Sequence, residues 1–220
     1  MASYHLTAKA ISRKQRSVVA AASYRAAQPL HDQRQQLDFD YSRREDVVHS
    51  EIRLPESAPA WMADREQLWN AAEHVERRKD AMTARELEIS LPRELDDEQH
   101  IELVEQFVDH EIVARGLVAD IAIHNRDASD GGENPHVHIM FKDRPVDSDT
   151  ETGFASKKNR DFAQRAGIEA LRERWAEHQN AALAAAGAAA QVDHRTLEAQ
   201  RADAEEMQQQ AVEAAMGEGR

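Results

Sequence analysis

The chain has 220 residues, no cysteine and a formal net charge of −13. That length suits one compact domain with a buried core, and the composition excludes disulfides, Cys-ligated zinc and thiol catalysis. No apolar run approaches the roughly 20 residues that span a bilayer, and the N-terminus lacks a signal-peptide core, so a cytoplasmic protein is expected.

Ser3 to Ile11 alternates loosely and predicts a first strand with Tyr4, Leu6 and Ala8 on one face. Ser17 can cap a helix through Val18, Val19, Ala22 and Tyr24, ending near Gln28-Pro29 because the residue before proline disfavours helix. Leu30 to Pro59 is polar and punctuated, which predicts loop with a short strand over Val47 to Leu54. Met62 to Thr83 predicts a charged amphipathic helix with Leu68, Ala72 and Val75 at helical spacing. Arg85 to Leu91 alternates cleanly and stops at Pro92, a strand with Leu87, Ile89 and Leu91 inward. Asp96-Asp97-Glu98 opens a helix whose stripe of Ile101, Val104, Phe107, Val108 and Ile112 runs to Gly116.

Next come two apolar strands, Leu117 to His124 and His136 to Phe141, joined across Asp130-Gly131-Gly132. A loop through Gly153 leads to a helix carrying Phe162, Ile168, Leu171 and Trp175, then an alanine-rich stretch over Ala181 to Ala190. Beyond Asp193-His194-Arg195 the chain is a polar Ala/Glu/Gln helix without a strong apolar stripe. The reading is α+β: an antiparallel sheet flanked by helices, one face covered and the other carrying polar chemistry, with a helical C-terminal extension. Residues 1–196 form the working domain and 197–220 a tail or linker.

Residues two apart on a strand share a face, so His136 and His138 point together, and the hairpin brings His124 beside them. Three converging imidazoles suit a metal with open positions; the bland alternative is polar residues on the wet face of a sheet. Such a set accepts zinc, manganese, nickel or copper readily, whereas magnesium prefers oxygen. Glu86 and Glu88 share a face and could hold an imidazole N–H, or be solvated strand residues. His5, His49, His74, His100, His110, His178 and His194 show no comparable grouping. Tyr24 lies on a helix in the acid-free segment before Asp32, which carries Lys9, Arg13, Lys14, Arg16 and Arg25. A phenol becomes a nucleophile when a cation or metal lowers its pKa; alternatively Tyr24 packs as a partly buried ring. That basic segment on an acidic body could bind a polyanion locally, or be one basic helix on an ordinary acidic surface.

His136-Val137-His138, the upstream His124 and the N-terminal Tyr24 together resemble the HUH endonucleases, and more narrowly the MobA/MobL family of plasmid relaxases. Tyr4-His5-Leu6-Thr7-Ala8-Lys9 is similar to that family's opening strand, and Ser23-Tyr24-Arg25 sits where its catalytic tyrosine sits. Glu86 to Pro92 resembles its Glu-rich strand and Gly131 to His138 its metal hairpin. Lys158-Asn159-Arg160-Asp161-Phe162, Arg174-Trp175, Asn180 and Asp193-His194-Arg195 continue the match, which covers residues 1–196. Tyr24 precedes the His pair, whereas rolling-circle initiators usually reverse that order.

The resemblance implies an HUH-type fold and a metal-dependent single-stranded DNA endonuclease and strand transferase. It would nick a plasmid transfer origin through a 5′-phosphotyrosine and religate it in conjugative mobilisation. It implies Tyr24 as nucleophile, a divalent ion (Mn²⁺ or Mg²⁺ foremost) on His124, His136 and His138, and Glu86 and Glu88 behind the ligands. Lys9, Arg13, Lys14, Arg16 and Arg25 would meet DNA phosphates, with accessory mobilisation proteins and a type IV secretion coupling protein as further partners. With no other tyrosine near Tyr24 in sequence, a single nucleophile is expected. A replication initiator, and a metal-dependent phosphoesterase without covalent DNA chemistry, are the competing readings.

Overall fold

The computed structural model describes residues 4–217. Its centre is a five-stranded antiparallel sheet of order β1-β5-β7-β6-β4: β1 (Leu6–Ser12), β4 (Val47–Arg53), β5 (Met82–Ser90), β6 (Ala119–His124) and β7 (His136–Phe141). A small hairpin of β2 (Leu30–Asp32) and β3 (Leu37–Phe39) stands apart from it. The helices are α1 (Val18–Ala26), α2 (Arg65–His74), α3 (Asp97–Glu111), α4 (Arg165–Ala185) and α5 (Leu197–Gly217).

Local chemistry sets the helix ends. Ser17 Oγ accepts from Ala20 N at 3.0 Å to start α1, which ends as Ala27 turns left-handed at φ 52° before Gln28-Pro29. Asp96 and Gln99 close a reciprocal capping box on α3. Between β6 and β7, Gly131 takes φ 80°, a conformation open to glycine at little cost, and the turn is tied by Ala128 N to Gly132 O at 2.7 Å.

Strand alternation sorts the side chains into two cores. Leu87, Ile89, Ala119, Ile121, Ile123, Val137, Ile139 and Phe141 pack against Val104, Phe107 and Val108 of α3 and Leu171 and Trp175 of α4. On the other face Ile11, Ala84, Val118 and Met140 pack against Val18, Val19 and Ala22 of α1 and Leu68, Trp69 and Ala72 of α2. The expectation of one covered and one polar face is therefore corrected: helices cover both faces, and the three histidines lie at the β6–β7 hairpin end of the second. Within that second layer the buried Asp120 accepts from Arg65 Nε at 2.9 Å and from Trp69 Nε1 at 2.7 Å.

Three elements differ from expectation. The helix expected over Met62 to Thr83 is a 3₁₀ turn (Ala60–Ala63) plus α2, and it stops at His74. Strand β5 begins at Met82 because Met82 and Ala84 pair with Ser12 and Ile11, while Thr83 Oγ1 donates to Ile11 O at 3.0 Å. That pairing is long-range, and no local pattern around residue 80 announces it. The β2–β3 hairpin stands where the polar sequence predicts loop. Strand β1 begins at Leu6, and Ser3 lies outside the described residues. Among the described residues no helix is long and apolar enough to cross a membrane.

Candidate metal centre and nucleophile

Strand β7 lies in the middle of the sheet between β5 and β6, so its outward residues meet those of both neighbours. His136 faces His124 across the β6–β7 ladder, and His138 faces Glu88 across β5–β7. The three imidazoles of His124, His136 and His138 each offer one ring nitrogen, and these lie within 4.8 Å of one another. Ring centroids are 5.3 Å apart for His124–His136, 4.9 Å for His124–His138 and 5.3 Å for His136–His138.

Hydrogen bonds orient the rings. His138 Nδ1 lies 3.0 Å from Glu86 Oε1, and His136 Nδ1 lies 2.8 Å from the carbonyl of Asn134. In each case an acceptor on Nδ1 fixes that nitrogen as the donor and leaves the Nε2 lone pair for a ligand bond. His124 Nε2 lies 2.8 Å from the carbonyl of Arg25, the residue after Tyr24, while its Nδ1 faces Arg44 at 3.3 Å. Burial pushes His124 down to about 4 and, despite the Glu86 contact, lowers His138 as well. Both rings are therefore neutral near pH 7, the form that coordinates metal.

Glu86 is fully buried and organises the cluster. Besides His138 it accepts from Arg25 Nε at 2.5 Å and Arg16 at 2.7 Å. Burial alone would raise its carboxyl, but the bonds from His138 and Arg25 outweigh that and hold it far below the usual carboxylate range. Glu88, expected beside it in the same role, instead takes Lys9 Nζ at 2.5 Å. It sits one residue pair further along the strand, at the rim, where a lysine from β1 reaches it.

Tyr24 stands beside this cluster. Its hydroxyl accepts a hydrogen bond from Arg126, two residues past His124, and this bond first, with the charges of Arg44, Arg126 and Arg25, lowers the phenol against the opposing effect of burial. The Arg44 guanidinium carbon lies 3.8 Å from the Tyr24 ring centroid while its NH2 reaches His124, so one side chain spans phenol and imidazole. Asp46 anchors both arginines, accepting from Arg44 at 2.6 Å and from Arg126. An open groove of about 600 Å³ lined by Tyr24, Arg44, Asp46, Asn125, Arg126 and Asp127 leads to the phenol.

Nothing local in the sequence marks Arg44 or Asp46, while Arg126 falls in the hairpin segment beside His124. The expectation that no tyrosine lies near Tyr24 holds along the chain and fails in space at Tyr41. Tyr41 is 17 residues from Tyr24 in the chain, yet its ring meets Tyr24 edge-on with centroids 5.1 Å apart. The β2–β3 hairpin, which returns the chain over α1, brings it there.

The expected phosphate-binding cations are mostly engaged within the protein: Arg16 and Arg25 on Glu86, Lys9 on Glu88, and Arg13 on Glu73 at 2.7 Å. Lys14 is exposed. A larger cavity of about 740 Å³ lies at the opposite end of the sheet and carries Arg78, Arg85, Arg144, Lys157, Lys158 and Arg160 against Glu76, Asp80 and Asp143. It has no imidazole or tyrosine, so the candidate chemistry stays with the Tyr24 groove.

A model of the MobA/MobL family matches residues 16–220. Conjugal transfer protein TraA of Agrobacterium fabrum is 41% identical over 169 residues, covering 72% of this chain and 15% of that protein. Mobilization protein MobL of Acidithiobacillus ferridurans is 38% identical, covering 89% of this chain and 58% of its own. The chain thus spans only part of the curated relatives it matches. A solved structure described as the molecular basis of vancomycin resistance transfer in Staphylococcus aureus superposes with TM-score 0.80 at 30% identity, covering 89% of this chain and all of that one. The conjugative relaxase TrwC in complex with oriT DNA shares the fold, with TM-score 0.51 at 13% identity over 83% of this chain and 68% of its own.

Proposed function

The chain belongs to the MobA/MobL family, and on that premise we propose that residues 1–196 are a relaxase domain that nicks and rejoins single-stranded DNA at a plasmid transfer origin, with Tyr24 as nucleophile. The observation that carries this reading is the shared environment of phenol and imidazoles: Arg44 spans the Tyr24 ring and His124, and Arg126 bonds the Tyr24 hydroxyl. A hydrolase of small phosphoesters needs no such tie between a tyrosine and a metal centre.

The donor set fits a divalent ion, with His124 and His138 neutral and Nδ1 acceptors behind His136 and His138. Three nitrogens favour Mn²⁺, or Zn²⁺, Ni²⁺ and Cu²⁺, over Mg²⁺. When bound, such an ion supplies Lewis-acid polarisation of a phosphoryl oxygen. The protein's own groups do the rest. Glu86 fixes the His138 tautomer and keeps Arg25 beside the site. Arg126 and Arg44 favour the phenolate and offset charge on an entering phosphate. Tyr24 Oη forms the new bond to phosphorus as the DNA 3′-oxygen leaves, producing a 5′-phosphotyrosine; the 3′-oxygen reverses the step without an external energy source.

Among the N-terminal cations Arg13, Arg16, Arg25 and Lys9 already meet Glu73, Glu86 and Glu88, so DNA phosphates would be held chiefly by the exposed Lys14, Arg43, Lys157 and Arg160. The acidic balance of the chain suits recognition of a particular origin, aided by accessory mobilisation proteins and a secretion coupling protein, over indiscriminate binding. The setting is the cytoplasm.

The test is incubation with labelled single-stranded origin oligonucleotides and Mn²⁺ or Mg²⁺, followed by denaturing electrophoresis. A shifted covalent band should form, vanish in Tyr24→Phe and weaken in His136→Ala. Turnover of a phosphoester with no band, unchanged in Tyr24→Phe, would replace the nicking reading by a hydrolase.

A further inference from the structure

The sheet face opposite the imidazole trio holds a second group of metal-binding side chains at its edge. His49 and Glu51 lie two apart on β4, opposite Ile123 and Ile121 of β6, whose side chains enter the core beneath α3. Glu105 comes across from α3. One ligand atom from each of His49, Glu51 and Glu105 lies within 4.8 Å of the others, and His49 Nε2 is 3.8 Å from Glu51 Oε1.

Two of those atoms lack a hydrogen-bond partner. His49 Nε2 and Glu51 Oε1 are both buried without a hydrogen bond, a condition that buried polar atoms in folded proteins rarely tolerate. The neighbouring Arg53 does not resolve it. Its Nε and NH2 are committed to the two oxygens of Asp109, with Nε at 3.1 Å. Its NH1 stands 3.6 Å from both Glu51 and Glu105, too far for a hydrogen bond. A single guanidinium nitrogen thus faces two carboxylates, and neither is hydrogen-bonded by it.

We propose that His49, Glu51 and Glu105 bind a divalent transition-metal ion of the zinc or manganese class at the seam between β4 and α3. One imidazole nitrogen and two carboxylate oxygens form a mixed donor set that suits these ions better than the all-oxygen preference of Ca²⁺ or Mg²⁺. Bonds of about 2.0–2.2 Å place donor atoms roughly 3–4 Å apart, which His49 and Glu51 already satisfy, and a Glu105 oxygen lies within 4.8 Å of both. The ion gives the orphaned nitrogen and oxygen a partner and relieves the glutamate repulsion. It also clips the edge strand to the helix layer; β4 is the strand whose Val47 pairs with His124. This site stands independently of the nicking chemistry.

The experiment strips the purified full chain with a chelator and titrates it with Zn²⁺ alone by calorimetry, following thermal unfolding in parallel. His136→Ala/His138→Ala should keep one tight equivalent, and Zn²⁺ should still raise its Tm. His49→Ala/Glu105→Gln should lower the parent stoichiometry by one equivalent, or weaken that event about a hundredfold. Zn²⁺ should not raise the Tm of the four-fold variant. If the trio variant fails to fold, the drop in His49→Ala/Glu105→Gln alone decides. Unchanged stoichiometry and affinity in that variant overturn the proposal. Loss of binding at the trio with the β4 equivalent intact would instead count against the nicking reading.

Discussion

Replacing Glu86 by Gln keeps the shape of the side chain and removes its charge from a fully buried position that serves Arg25, Arg16 and His138 at 2.5, 2.7 and 3.0 Å. Breaking a buried ion pair by deleting one partner costs about 3–5 kcal/mol. Here Arg16 is 42% exposed and recovers water, and the amide oxygen still accepts one bond, so about 2–3 kcal/mol is expected. For a domain of this size that is a Tm drop of roughly 5–10 °C. Metal affinity at the trio should fall about 10–100-fold, because His138 loses the anionic acceptor that fixes its tautomer. The carboxyl's folded pKa is depressed below its ordinary 4.5, so its stabilisation is fully present above that pH and drains away as pH falls beneath it. The Tm gap between parent and Glu86→Gln should therefore be full at pH 7 and close on acidification, as read by circular dichroism or calorimetry. A gap below about 1 °C at pH 7, or one that widens in acid, would show that the Glu86 charge does not hold this cluster together.

Arg126→Gln removes the hydrogen bond that lowers the Tyr24 phenol, so the pH profile of adduct formation should move to higher pH with the fold intact; an unmoved profile would show that Arg126 does not tune the nucleophile. Asp120→Ala leaves Arg65 and Trp69 Nε1 without their shared buried acceptor and should cost about 3–5 kcal/mol in urea unfolding, with adduct formation preserved in the cold. A cost under about 1 kcal/mol would mean that water replaces the carboxylate. Tyr41→Ala removes the edge-on ring beside Tyr24 and should slow adduct formation more than Tyr41→Phe, which keeps the contact; equal losses would point to the Tyr41 hydroxyl instead.

Much of the sheet was legible in local patterns because burial imposes a period of two. Leu87-Glu88-Ile89 and His136 to Met140 alternate as the two faces require, and the same alternation put His136 and His138 together. Capping residues Ser17 and Asp96 marked helix starts for an equally local reason, the unsatisfied backbone N–H groups of the first turn. His124 joined the pair through a short hairpin, a separation that turn chemistry can bridge.

What stayed hidden depends on contacts between distant segments. The start of β5 is set by β1, seventy residues earlier, and the second apolar layer follows from where α1 and α2 dock. Glu86 rather than Glu88 became the organising carboxylate because arginines from the β1–α1 turn and α1 converge on one strand position and not on its neighbour. Tyr41, Arg44 and Asp46 reach the phenol through a hairpin too short and polar to announce itself, and His49 acquires its carboxylates only when β4 lies under α3. Periodicity is a property of neighbouring residues, so it reports which way a side chain faces. The partner it meets is chosen by packing of the whole chain, and that choice decided which charges are neutralised and which are left waiting for an ion.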